Sequence, residues 1–144
     1  MHLRWKLAVV TDVGSAPGRD AALRLARVGA GLLCVDPDVE AAEEVAREAV
    51  RLRVQAWTWQ GDMARSGDRG WLAARAEDLG GADLLVAGGP EACVRALAQR
   101  LRLDQDLLEA ADPACAVRLL TEAEPGAVVR LLDPAAVGDQ VSGR

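Results

Sequence analysis

No tyrosine and no phenylalanine occur among the 144 residues, and four tryptophans are the only aromatic side chains. Lys6 is the single lysine, all other cations being arginine, and His2 is the single histidine. Ser15, the best-placed hydroxyl in the first turn, therefore has no imidazole in its neighbourhood to activate it as a nucleophile. Cysteine is equally sparse. Cys34, Cys93 and Cys115 are odd in number, isolated and without metal-ligand spacing, so neither a disulfide framework nor a zinc site is implied. They read as small buried hydrophobes of a reducing compartment. No apolar run approaches the ~20 residues of a membrane span, and Leu7–Val10 is too short for a signal peptide. No basic stripe exists either, and the net charge is −5, which argues against nucleic acid as a partner. The expectation is a cytoplasmic protein with neither membrane nor nucleic-acid contacts.

What the chain does contain is apolar residues, 51% of the total and mainly Ala and Leu. A chain of this length buries roughly 68–70% of its unfolded surface without a staple. One domain over 1–134 followed by a mobile tail, 135–144, is the expected organisation.

Its most informative stretch is Lys6–Asp36. LAVV is a short strand; Gly14, Pro17 and Gly18 make a turn; Ala22, Leu25 and Ala26 share a helix face that ends at Gly29; GLLCVD is a second strand. Asp38 then caps a helix to about Arg51, acidic at its start and basic at its end. Val54–Gln60 reads as a third strand, on which Trp57 and Trp59 share a face, either beneath helices or toward a partner. A helix opened by Ser66 or Asp68 carries Leu72, Ala76 and Leu79 and ends at Gly80-Gly81; ADLLVA is the fourth strand. Beyond Gly88-Gly89-Pro90 a helix presents Val94, Leu97, Ala98 and Leu101. A second short helix, capped by Asp104, carries Leu107 and Leu108, and Asp112-Pro113 opens a third. AVVRLL is the last strand. Strands alternating with helices imply a three-layer, doubly wound (Rossmann-like) α/β fold with a parallel sheet of about five strands, order 3-2-1-4-5. Such a unit is a nucleotide-binding frame.

On these residues the chain resembles the short-chain dehydrogenase/reductase family. Thr11-Asp12-Val13-Gly14-Ser15-Ala16-Pro17-Gly18 occupies the family's Thr-Gly-x-x-x-Gly-x-Gly turn, and Arg19 matches a common family residue. Asp36 falls where members hold the adenosine ribose, Asp62 where a carboxylate meets the adenine, and Leu84–Gly89 where an Asn-Asn-Ala-Gly segment ends the fourth strand. The resemblance thus implies a cofactor site at Thr11, Gly14, Ser15, Gly18, Asp36, Asp62, Ala87 and Gly88. For Asp36 a strand-end or capping role is equally open, and for Asp62 a turn role is preferred.

The departures bear on function. Family catalysis rests on Tyr-x-x-x-Lys with an upstream Ser, and this chain has no Tyr, while its Lys6 sits at the start of the first strand. The resemblance also implies a longer chain, with the difference falling after Gly89. Asp12 and Ala16 replace two turn glycines, placing a carboxylate and a Cβ where a pyrophosphate approaches, and Pro17 lacks an N–H. The expected function is therefore a non-catalytic, structural or interaction subunit with no bound cofactor. The alternative is an oxidoreductase component with residual NAD or adenine-nucleotide binding that needs a partner chain for catalysis. Apolar helix faces in the last third predict a homodimer or a related partner subunit through residues 91–133.

Overall fold

The computed structural model describes residues 1–132; the expected tail lies outside them. Its elements follow in the order β1 (Leu7–Thr11), α1 (Ala16–Arg27), β2 (Gly31–Asp36), α2 (Val39–Arg51), β3 (Ala56–Gln60), α3 (Ser66–Asp78), β4 (Leu84–Ala87), α4 (Glu91–Arg100), β5 (Leu107–Ala110), α5 (Pro113–Glu122) and β6 (Val128–Leu131). All strands are parallel in one sheet of order β3-β2-β1-β4-β6-β5.

Period-two alternation divides the sheet between two cores. Ala8, Val10, Leu32, Cys34, Leu84, Val86 and Val129 face α1, α2 and α5, whereas Leu7, Val9, Leu33, Val35, Leu85 and Val128 face α3 and α4. The connections that step toward β3, together with the return from β5 to β6, place their helices on the first face. Those that step the other way, into β4 and β5, place theirs on the second, as a uniform crossover hand requires.

Local chemistry sets the boundaries. Asp38 Oδ1 accepts from the Glu40 N–H (3.0 Å) to cap α2, and Asp112 Oδ1 accepts from Cys115 N–H (2.7 Å) to cap α5, with Pro113 at its start. Cys34 is wholly buried in β2, and burial pushes its thiol pKa up to about 12. Trp57 and Trp59 are half-buried on the edge strand β3 and pack against the α3–α4 core.

The doubly wound class is as expected, but two features are corrected. The described residues form six strands, because Leu107–Ala110 forms β5 and not the short helix expected after Asp104. The last strand does pair with β4 (Leu85 opposite Val128, Val86 opposite Val129), yet it is not the edge, since β5 lies outside it (Leu108 opposite Val129). Of the apolar residues in the last third, Val94, Leu97, Leu101 and Leu120 are buried and Leu107, Leu108 and Leu119 half-buried within the chain.

Candidate functional site

The carboxyl ends of β1, β4 and β6 meet at a cavity of about 290 Å³, lined by Thr11, Asp12, Ser15, Pro17, Gly18, Asp36, Gly88, Gly89, Leu131 and Leu132. A crevice at this place in an open α/β sheet is the usual ligand position. Of the residues singled out from sequence, Thr11, Ser15, Gly18, Asp36 and Gly88 line it directly. Gly14 stands behind Asp36, and an added Cβ there would lie 2.9 Å from Asp36 Oδ1. Ala87 is buried at the end of β4. Asp62 does not line the cavity. Its Oδ1 accepts from the Ala64 N–H (2.9 Å) and its own N–H donates to Asp68 Oδ2 (2.9 Å), which makes it a turn residue ahead of α3.

Leu131 and Leu132 were missed. They reach the cavity because β6 inserts next to β4, and the pairing of AVVRLL with ADLLVA was the signal that could have found them.

Most N–H donors of the turn that resembles a phosphate cradle are already committed. Val13 N–H donates to Val35 O (3.3 Å), Gly14 N–H to Asp36 Oδ1 (2.9 Å), Ser15 N–H to Asp12 O (2.9 Å) and Gly18 N–H to Ser15 Oγ (3.2 Å). Pro17 has none. Asp36 is likewise engaged: its second oxygen accepts from the Asp38 N–H (3.0 Å), so the strand-end role is filled, and remaining lone pairs alone are open to a diol. Gly18 serves packing, since a Cβ there would stand 2.1 Å from Asp12 O.

Asp12 dominates the electrostatics. Its φ is +54°, a left-handed backbone that glycine adopts without strain and aspartate tolerates. Its carboxylate lies over Gly88, whose added Cβ would be 3.4 Å from Oδ2, and it accepts no hydrogen bond among the described residues. No cationic side chain among the described residues lines the cavity; Arg130 is held by Gly89 O (2.8 Å) and Glu109 (3.0 Å). Beside Asp12, Thr11 Oγ1 is buried without a partner.

Burial first, then the charges of Asp36 and Asp62, hold the Asp12 carboxyl above its ordinary value of 3.8. The sign for stability follows. Between the ordinary and the raised value the folded state binds more protons than the unfolded one, so stability contributed by this group rises as pH falls through that window. It is expected that Asp12→Asn abolishes this component of the pH–stability curve, as measured by urea midpoints across mildly acidic pH. A curve unchanged by the substitution would contradict it.

A family model described as short chain dehydrogenase matches residues 6–106. The chain belongs to the short-chain dehydrogenase family. Among solved structures, it resembles a hydroxysteroid dehydrogenase from Escherichia coli at TM-score 0.64 and 24% identity, over 69% of this chain and 52% of that one. A 7α-hydroxysteroid dehydrogenase complexed with NADH and 7-oxo glycochenodeoxycholic acid aligns at TM-score 0.61 and 25% identity, over 69% of this chain and 48% of that one. A short-chain type dehydrogenase/reductase from Mycobacterium marinum aligns at TM-score 0.57 and 19% identity, covering 69% and 46%. This short-chain dehydrogenase chain thus spans about half the length of the solved relatives it matches. No curated protein matches it. Among the described residues, no group of His, Cys, Asp and Glu is arranged to hold a metal ion, and no helix is long and apolar enough to cross a membrane.

Proposed function

We propose that this chain is a non-catalytic short-chain-dehydrogenase domain that acts as a structural or interaction subunit. The observation that carries the reading is the absence of tyrosine, with the one lysine, Lys6, ahead of β1 and so a five-residue strand, about 17 Å, from the cavity. Hydride transfer of the family type needs a positioned tyrosine proton donor with its lysine, and no such pair lines this cavity among the described residues. An assembly through residues 91–133, where β5 is the sheet edge among the described residues, with a second copy or a related subunit, fits this reading, as does residence in the cytoplasm. The purified chain is expected to show no oxidation or reduction of a panel of alcohols and ketones with NAD(H) or NADP(H). Turnover above the buffer blank that persists after repurification would overturn the reading.

A second reading, an oxidoreductase component that still holds NAD or an adenine nucleotide weakly, is favoured by one observation: Asp36 retains its place at the end of β2, facing the cavity. The residues present fit a dinucleotide poorly. Most turn N–H groups are committed, Asp12 sets a negative charge beside the phosphate position, and no cation among the described residues lines the cavity to answer it. Calorimetric titration with NAD and ADP-ribose separates the two readings, micromolar affinity supporting the second.

A further inference from the structure

At the end of the sheet opposite the cavity lies a groove of about 890 Å³. His2, Arg4, Trp5, the end of α1 and the end of α2 wall it, with Gly31, Val54 and Gln55 beneath. Five large apolar residues are exposed among the described residues, and four of them line this one groove: Trp5 (86% exposed), Val28, Val50 and Leu52. The cations Arg4, Arg27 and Arg53 line it as well. All three are exposed, and none forms an ion pair among the described residues. No carboxylate among the described residues lines it, although the chain carries 22 acidic residues and a net charge of −5.

Arginines at helix ends have an ordinary explanation, since they complement the helix dipole. That accounts for Arg27 and Arg53. It does not account for the apolar side chains between them, or for Trp5, which presents its indole to solvent from a left-handed backbone (φ +70°). A bulky side chain in that region is strained, and glycine or asparagine would serve a bare turn better. The turn's backbone is fixed, the Trp5 main-chain N–H donating to Gly29 O (3.1 Å), and the Arg4 guanidinium stands 5.9 Å from the indole's ring centroid. A large apolar patch rimmed by charge of one sign marks an interaction surface.

We propose that this groove docks an acidic segment of a partner protein, with carboxylates paired to Arg4, Arg27 and Arg53 and an aliphatic or aromatic anchor covering Trp5, Val28, Val50 and Leu52. The proposal rests on the interaction-subunit reading and adds to it the surface and the chemistry of the partner. A two-fold contact of this groove with its own copy is disfavoured, because it would set arginine against arginine. Three cations in a chain of net charge −5 are too few for a nucleic-acid backbone, whose binding rests on many phosphate contacts.

The test is selection of a phage-displayed random peptide library on the immobilised chain, followed by titration of the enriched peptides against wild type and the Trp5→Ala, Arg27→Glu and Arg53→Glu variants. Both kinds of substituted residue are exposed, and each variant's thermal transition is first matched to wild type. Enriched peptides are expected to combine acidic residues with a large apolar one. They should weaken about tenfold or more in each variant and bind unchanged to Asp12→Gly. Three outcomes would overturn the proposal: no enrichment, enriched peptides without acidic residues, or affinities indifferent to the three variants. Binding of an oligo-dT strand or of phosphatidylserine vesicles that Arg27→Glu abolishes would also overturn it, by giving the groove to another class of partner. The turnover assay is independent. An active chain that still selects acidic peptides at this groove would refute the non-catalytic reading alone, and an inactive chain without such peptides would refute the groove alone.

Discussion

Replacing Gly18 with alanine is expected to destabilise the protein by about 3 kcal/mol, the upper range for overpacking a site that cannot relax. The added Cβ would stand 2.1 Å from the carbonyl oxygen of Asp12 and 2.7 Å from its carbonyl carbon. These are backbone atoms at the end of the central strand β1, so no side chain can swing aside. Either α1 moves away from the sheet, opening the core that Ala21, Ala22 and Leu25 fill against Ala8 and Val10, or the turn at Asp12 breaks. For a domain of this size that loss corresponds to a fall of roughly 10 °C in melting temperature, read by circular dichroism. A variant that melts within a degree or two of wild type would show that the helix is not seated as closely on the strand as described. The control is Gly67→Ala in α3, where an added Cβ meets nothing within 4 Å; it is expected to be neutral or slightly stabilising, since Ala is the better helix former.

Asp12→Gly is expected to act in the opposite direction on both stability and binding. It relieves a left-handed aspartate and removes a carboxylate that desolvation in the turn and two neighbouring carboxylates disfavour. The expected gain is about 1 kcal/mol in unfolding free energy. For nucleotide affinity the effect is larger. Two like charges ~4 Å apart repel by about 4 kcal/mol at an effective dielectric of 20, and screening by salt reduces this. ADP-ribose should therefore bind the variant roughly tenfold to a hundredfold more tightly than wild type. Asp12→Asn separates the causes, because it removes the charge and keeps a side chain that tolerates the left-handed region. If Asn recovers the affinity but not the stability, charge limits binding and backbone strain limits folding. If neither substitution improves binding, the committed N–H groups of the turn, and not Asp12, are what exclude the ligand.

The frame was legible because its signals are local and agree with one another. Asp38 caps α2, Gly29 and Gly80-Gly81 adopt positive φ where helices end, and LAVV, GLLCVD and ADLLVA are apolar runs that only a strand covered on both faces accommodates. Leu107–Ala110 failed for a physical reason. Leu, Leu, Glu and Ala are all good helix formers, and a four-residue strand carries too little pattern to outvote them; pairing with β6 does so. The site was half-legible. Thr11, Ser15, Gly18, Asp36 and Gly88, which the family resemblance singled out, line one cavity, whereas the engagement of Asp36 by two backbone N–H groups depends on how the turn closes. The groove around Trp5 could not be read at all. Its residues come from three separate stretches, and nothing in their spacing announces that helix ends and a leading turn will meet.

The order of the strands has a consequence for synthesis. β5 touches the sheet only through β6, yet it leaves the ribosome first. From Leu107 to Leu131 the growing chain carries a strand with no partner, beside a β4 whose outer edge is still bare, for about 1–5 s at ordinary translation rates. During that interval the half built from β1 to β4 can close, while everything after Arg100 must wait. Nascent chains halted between α5 and β6 should thus protect β1–β4 from protease and leave residues 107–122 fully cleavable, the last strand acting as the latch for the one before it.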